Sequence, residues 1–322
     1  MRLATFNIEN LDLAPEADVP FDARVAVLRP TLERIAADIL CLQEVNGQHV
    51  AGSPERRLVA LDMLLQGTRY EAYQRAATCG PAGRGVASIH NLVTLSRYPI
   101  EQQREVRHEH VRPLLHHYVT GSSAAGEPQP IGFDRPLLLT EIELPGGRGL
   151  DVINLHLRAP RASAIPGGKL SSAQWRTTSG WAEGYFLSSL KRTAQALELR
   201  LLVDGILARE PKRLIAVAGD FNAEDHETPV RLAVAAEEQT GNAALAARSL
   251  IVLDAAVPPD RRWSGLHRGR PEMLDHILAS QSLAGCVRDV EAHNEGLGDE
   301  ALGAAAIAGS SHAPLVAEFA LD

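Results

Sequence analysis

Apolar runs of strand length recur along this chain, and run after run borders a polar residue that a core does not need. The runs are Leu3–Phe6, Ile39–Leu42, Leu92–Leu95, Leu137–Ile142, Leu150–Leu155, Leu214–Ala218, Leu274–Leu278 and Leu315–Phe319. Each is rich in Val, Ile or Leu and bounded by turn or polar residues, as buried strands are. Helical patterns lie between some of them. Val25, Leu28, Leu32 and Ile35 share one stripe, with Pro30 expected to kink or restart that helix. Ser53-Pro54 reads as an N-cap and first helical residue ahead of Leu58, Leu61 and Leu65. Phe186, Leu190, Ala194, Leu197 and Leu201 mark the apolar face of a long amphipathic helix. Strands outnumber helices and cluster, which predicts a mixed α/β protein of packed layers.

Composition narrows the function classes. Of 322 residues, 45% are hydrophobic and 22% charged, which excludes a disordered or collagen-like chain. The formal charge is -8 and the pI about 5.9, so a large basic face that clamps nucleic acid over its length is not expected. Cys41, Cys79 and Cys286 form neither a disulfide framework nor a thiolate zinc site, and Cys41 reads as a small core residue. No apolar run reaches the length of a membrane span, and the N-terminus lacks a signal-peptide pattern, so the expected location is cytoplasmic. Length alone suggests two domains. Neither an internal repeat nor a linker-like break in composition divides the chain, so the reading is one domain over residues 1–322. Two stretches look like loops or insertions: Gly121 to Pro130, and one near 159–184 that carries Trp175 and Trp181. Its two tryptophans either pin it to the body or belong to a lid.

The polar residues at strand ends are Asn7 and Glu9, Gln43-Glu44, His156, Asp220 and Asn222, Asp275-His276, and His312. Each alone has an ordinary explanation as a turn, a cap or a satisfied core group. Together, at strand ends that converge on one edge, they gather carboxylates, amides and imidazoles with almost no thiol. Carboxylate and carbonyl oxygens suit Mg²⁺, and a His-Asp set suits acid–base work near neutral pH. The cluster His108, His110, His116 and His117 belongs to a polar loop rather than a zinc site, since no ligand pattern accompanies it.

The pieces Thr5-Phe6-Asn7-Ile8-Glu9-Asn10-Leu11, Leu42-Gln43-Glu44-Val45, Asn154-Leu155-His156-Leu157, Gly219-Asp220-Phe221-Asn222, Leu274-Asp275-His276-Ile277 and Ser311-His312-Ala313-Pro314 occur in this order almost end to end. In this the chain resembles the endonuclease/exonuclease/phosphatase superfamily, which shares the deoxyribonuclease I-like fold. The resemblance implies a four-layer αββα sandwich, two central mixed β-sheets flanked by helices, with one active site at the sheet edges. It implies Glu44, Asn7 and Glu9 as metal ligands, Asn7 also touching substrate, and Mg²⁺ (or Mn²⁺) as the cofactor. Asp220 would orient or deprotonate the attacking water, and Asn222 would hold the phosphate or the nucleophile. His312 would stabilise phosphoryl charge with Asp275 fixing its tautomer, and His156 would act as general acid or phosphate ligand. The chemistry asks for cationic imidazoles aimed at the developing charge. Arg84 and Arg158 are candidate phosphate contacts.

Two departures stand out. Ser311 occupies a position where the family commonly has Asp, and Ser88-Ile89-His90-Asn91 offers His156 no acidic partner. The implied function is a Mg-dependent phosphoesterase, first a phosphodiesterase or nuclease acting on DNA or RNA. Alternatives are a phosphatase or phosphodiesterase for lipid, inositol or nucleotide phosphates, and a non-catalytic binding module of the same fold. Oligomeric state is not read from the sequence.

Overall fold

A computed structural model describes residues 1–14, 19–80, 83–123, 126–299, 301 and 308–321. Its principal strands, in chain order, are β1 (Arg2–Leu11), β2 (Ile39–Val45), β3 (Gln74–Ala77), β4 (Asn91–Ser96), β5 (Ile100–Val106), β6 (Leu137–Leu144), β7 (Arg148–His156), β8 (Leu214–Asp220), β9 (Ile251–Val252), β10 (Asp275–Ala279), β11 (Val287–Ala292) and β12 (Leu315–Phe319). They form two six-stranded sheets, in the orders β11-β12-β1-β2-β4-β3 and β9-β10-β8-β7-β6-β5. Both are mixed: β1–β2 and β7–β8 run parallel, while β10 and β12 are antiparallel to β8 and β1.

Three apolar clusters show the layers. Leu3, Ile39, Cys41, Leu150, Val152, Ala216, Ala218, Ile277 and Leu315 fill the space between the sheets. Ala4, Phe6, Ile8, Leu40 and Leu42 on the outer face of the first sheet pack on helices α1 (Phe21–Ile35) and α2 (Val59–Leu65). Leu139, Ile153, Leu155, Ile215 and Val217 on the outer face of the second meet α3 (Thr178–Arg209). The alternation of neighbouring residues between two clusters is the period-2 signature of a strand buried on both faces. The result is the helix–sheet–sheet–helix sandwich that the resemblance implied.

Some local expectations fail. Residues 56–57 pair as a short strand with 48–49, so no helix starts at Ser53-Pro54; α2 begins at Val59 without a side-chain cap. Pro30 lies inside α1, which continues through it as one helix. The expected face of α3 is the wrong one. Phe186, Leu197 and Leu201 are exposed, whereas Leu187, Leu199, Leu202, Val203 and Ile206 are buried. In the second insertion Trp175 is half-buried and packs with Ile131, Ile165 and Leu187, while Trp181 is exposed. Within the Gly121–Pro130 stretch, 121–123 form a 3-10 turn and strand pairing resumes at Gln129, with 124–125 outside the described residues. Among the described residues, no helix is long and apolar enough to cross a membrane.

Candidate active site

The same period-2 alternation decides which side chains meet. Leu3 and Cys41 face the second sheet, and the next inward positions along β1 and β2 are Thr5, Asn7 and Gln43. On β7, Val152 is followed inward by Asn154 and His156; on β8, Ala218 is followed by Asp220. Asp275 opens β10 directly opposite Asp220 in the antiparallel register, so its end of the strand lies at the same edge. His312 precedes β12, which runs antiparallel to β1 and arrives beside Asn7. The core ends in a polar layer before the site begins. Thr5 Oγ1 donates to Gln43 Oε1 at 3.3 Å, Gln43 Nε2 donates to Asn154 Oδ1 at 2.8 Å, and the Asn154 amide donates to the Leu42 and Val93 carbonyls. This bridge across the two sheets is buried and paired, which fixes their relative position.

Above it the charged groups converge. Asn7 Nδ2 donates to Asp220 Oδ2 at 3.0 Å and to Glu44 Oε1 at 3.3 Å. Asp220 also accepts from the Asn222 backbone N–H at 2.8 Å and from its amide at 3.1 Å. His312 Nδ1 lies 2.7 Å from Asp275 Oδ2, and its Nε2 points toward Asp220 Oδ2 at 3.9 Å. His156 Nε2 is 3.4 Å from Asp220 Oδ2 and 3.7 Å from Glu44 Oε1. Alternation would turn Glu44 toward the outer helices; a left-handed backbone (φ 61°) and a register break after Leu42 swing it to the edge instead.

Burial sets the protonation. Burial, reinforced by Asp275, pushes Asp220 up to about 7, against His312 and the Asn222 and Asn7 hydrogen bonds. Burial alone would lower His312, but Asp275 and Asp220 outweigh it and push it up to about 10. His156 departs from the expected cationic imidazole. Burial, with Arg135, His90 and His312 nearby, holds it well below its usual value, and its Nδ1 has no hydrogen-bond partner.

The other candidates are placed less centrally. Glu9 is half-buried, and its carboxylate accepts the Ser311 backbone N–H at 2.6 Å. An acid therefore stands beside Ser311, where the resemblance implies an Asp. Arg158 pairs with Asp134 at 3.1 Å, its charge felt at His156 and His90. Arg84 is exposed in a turn and makes none of the contacts that join the site among the described residues.

Several groups escaped the sequence reading. Arg135 lies half-buried beside the site, donating to the His156 carbonyl at 3.2 Å and contacting His90 Nδ1 at 3.0 Å. His90 Nε2 reaches Asn10 Oδ1 at 3.0 Å, so His90 and Arg135 occupy the ground where an acid was missing. On the far side, fully buried Asp254 contacts His276 at 3.1 Å and Arg262 at 3.0 Å. His276 holds the Ala223 carbonyl at 2.9 Å, and Arg262 holds Asp225 at 2.7 Å. Both grips fall on the loop that carries Asp220 and Asn222. The histidine cluster is otherwise used: His108 bonds the Val111 carbonyl and the Phe133 N–H, and His116 bonds Glu183.

The donors present fit a hard divalent cation. Glu44, Asp220 and Asn7 offer carboxylate and amide oxygens, Asp275 Oδ1 is buried without a partner, and ligand atoms of Asp220, Asp275 and His312 lie within 4.8 Å of one another. Burial and Asp275 hold Asp220 toward its protonated form, and a cation at this point would favour the carboxylate instead.

Residues 4–312 match the endonuclease/exonuclease/phosphatase family. No curated protein matches the chain. Among solved structures, an endonuclease/exonuclease/phosphatase family protein from Leptotrichia buccalis C-1013-b is similar at 15% identity and TM-score 0.56, with 100% of both chains covered. An AP endonuclease from Archaeoglobus fulgidus aligns at 17% identity and TM-score 0.54, again with 100% of both chains covered. A 3′ phosphatase, NExo, from Neisseria, bound to product DNA hairpin, aligns at 16% identity and TM-score 0.52, with 100% of each covered.

Proposed function

The chain belongs to the endonuclease/exonuclease/phosphatase family, and from that premise we propose that it is a metal-dependent phosphodiesterase that hydrolyses nucleic acid by in-line attack of water. The observation that carries this reading is the His312–Asp275 pair set against Asp220, Asn7 and Glu44 at one edge of both sheets. Glu44 and Asn7, with Asp220 beside them, would hold the Mg²⁺ or Mn²⁺, which would act as a Lewis acid on the phosphoryl group.

The chain's own residues divide the remaining work. Asp220, fixed by Asn7 and Asn222, orients the attacking water and accepts its proton. Both N–H bonds of the Asn222 amide are spent, on Asp220 and on the Leu157 carbonyl at 3.1 Å. That leaves its Oδ1, an acceptor that suits water and not a phosphate oxygen. His312, held through Nδ1 by Asp275, presents its Nε2–H to a non-bridging oxygen as negative charge builds there. His156 is neutral and cannot supply charge; its Nε2 fits a hydrogen bond to the leaving or bridging oxygen. Arg135 supplies the positive charge on that side, behind His156.

Two similar structures support a polynucleotide as substrate, since one is an AP endonuclease and the other binds a DNA product. The test is a panel of plasmid DNA, RNA, bis-p-nitrophenyl phosphate, sugar phosphates and phospholipids, each with Mg²⁺, Mn²⁺ or EDTA. Divalent-dependent cleavage of a polynucleotide is the expected result. Cleavage confined to small monoesters or lipids would move the assignment to those substrates, and no turnover in any arm would contradict hydrolysis.

A further inference from the structure

The segment joining β7 to α3 differs in charge from the rest of the chain. From Leu157 to Ala182 it contains Arg158, Arg161, Lys169 and Arg176 and no Asp or Glu, in a protein of net charge -8. Its root is in the site: the Leu157 N–H donates to the Asp220 carbonyl at 2.9 Å, and the Leu157 carbonyl accepts from Asn222. Its far end runs into the first turns of α3. There Trp181 and Tyr185 stack at 5.4 Å between centroids, and Trp181, Tyr185 and Phe186 are 47%, 38% and 50% exposed. These rings stand on a helix and not on a loose loop. Buried Glu183, between them, accepts the Val119 and Thr120 N–H groups, and Trp175 packs beneath.

α3 itself connects this surface to the chemistry. Lys191 bonds Asp134, the partner of Arg158, and Arg192 donates to the Asn222 carbonyl. From Arg192 back to Trp181 is about 16 Å along the helix axis. That distance spans about five stacked nucleotides at ~3.4 Å each.

We infer that the strip from Arg158 to Phe186 binds single-stranded nucleic acid leaving the scissile phosphate, with bases stacked on Trp181 and Tyr185 and the backbone beside Arg176. The inference rests on the phosphodiesterase reading above and adds the form of the substrate. Cations recurring along a path match the repeated phosphates of a polynucleotide, and exposed rings accept any base face. A lipid headgroup presents its charge at one point and leaves the recurrence unexplained. Exposed Leu115 and Val119 border the strip, so a membrane surface is the competing occupant.

The experiment uses the full chain and the variants Trp181→Ala/Tyr185→Ala and Arg176→Glu, all exposed positions, with thermal melts to confirm folding. Binding of a fluorescent 12-nucleotide single strand is read by anisotropy in EDTA, so no turnover is needed. Turnover of bis-p-nitrophenyl phosphate with Mn²⁺ is measured in parallel. The expected result is binding weakened about ten-fold or more by the double substitution. Arg176→Glu should flatten the salt dependence, and both variants should keep wild-type kinetics on the small diester. Equal binding by wild type and double variant, or no binding by wild type, overturns the strip whatever the small diester shows. Wild-type adsorption to phosphatidylserine/phosphatidylcholine vesicles that exceeds oligonucleotide binding, and is lost in the double variant, overturns it in favour of a membrane. Loss of small-diester turnover in the wild type itself contradicts the hydrolytic reading instead, and leaves the anisotropy result to decide the strip.

Discussion

Glu9, Asn10, Glu44, His90 and Asn222 all hold left-handed backbone, with φ between 48° and 61°, and all lie at or beside the site. Non-glycine residues pay about 1–2 kcal/mol each for that conformation, and such strain concentrates where side chains must be aimed. It separates residues whose direction is legible in the sequence from those whose direction is not. Asn7, His156, Asp220 and Asp275 were legible because alternation along strands fixes their direction. Glu44 was legible only as a residue type at a strand end, since alternation alone aims it away from the site. Arg135 and the Gln43–Asn154 bridge were not legible as contacts. They depend on pairings between distant strands, and no local pattern marks them. Gly219 is the backbone counterpart. At φ 153° its Cβ would lie 2.0 Å from the Leu155 carbonyl oxygen on the neighbouring strand. Gly219→Ala should therefore lower stability by more than about 3 kcal/mol, since main chain must move and the new residue is strained. Urea unfolding monitored by circular dichroism checks it; an unchanged midpoint would contradict the packing.

At the scale of elements, α3 shows why a helical wheel misleads. The helix has apolar residues on more than one side, and its buried side also carries Glu183, Arg192, Gln195 and Glu198. The pattern therefore pointed to Phe186, Leu197 and Leu201, while packing chose the side that includes the acids. Those acids are paired by loops. Glu198 accepts the Glu109, His110 and Val111 N–H groups, and Glu183 accepts those of Val119 and Thr120. Burial alone would raise Glu183, but hydrogen bonds from Thr120, His116 and Val119 outweigh it and hold it below its ordinary 4.5. The sign follows from linkage. A depressed carboxyl contributes stability that is fully present above 4.5 and is lost as pH falls through its lower folded value. Glu183→Gln should thus cost about 1–3 kcal/mol at neutral pH. The gap to wild type should close as the solution is acidified below that range. Thermal melts across pH measure it, and a gap that widens in acid would contradict the assignment.

For the whole molecule, the site exists because two sheets end together. Residues from Asn7 to His312 meet at one edge, and no single strand carries enough of them to bind an ion or position a water. The apolar runs alone indicate a mixed α/β protein of packed layers, whereas the sandwich was legible through the family resemblance that the ordered motif set carries. The Asp254–His276–Arg262 clamp behind the Asp220–Asn222 loop was not, because Asp254 sits in a short 3-10 turn that resembles any other.

Hydrolysis at this edge depends on Asp220, and Asp220→Asn removes its charge at nearly constant shape. Both Asp220 oxygens accept N–H bonds and Asn offers one acceptor, so the melting temperature should fall, and circular dichroism checks that the fold is kept. The kcat for Mn²⁺-dependent cleavage of bis-p-nitrophenyl phosphate should fall by about 10²–10⁴-fold, the usual contribution of a positioned acid–base group. A folded Asp220→Asn protein that cleaves the diester at the wild-type rate would contradict the account.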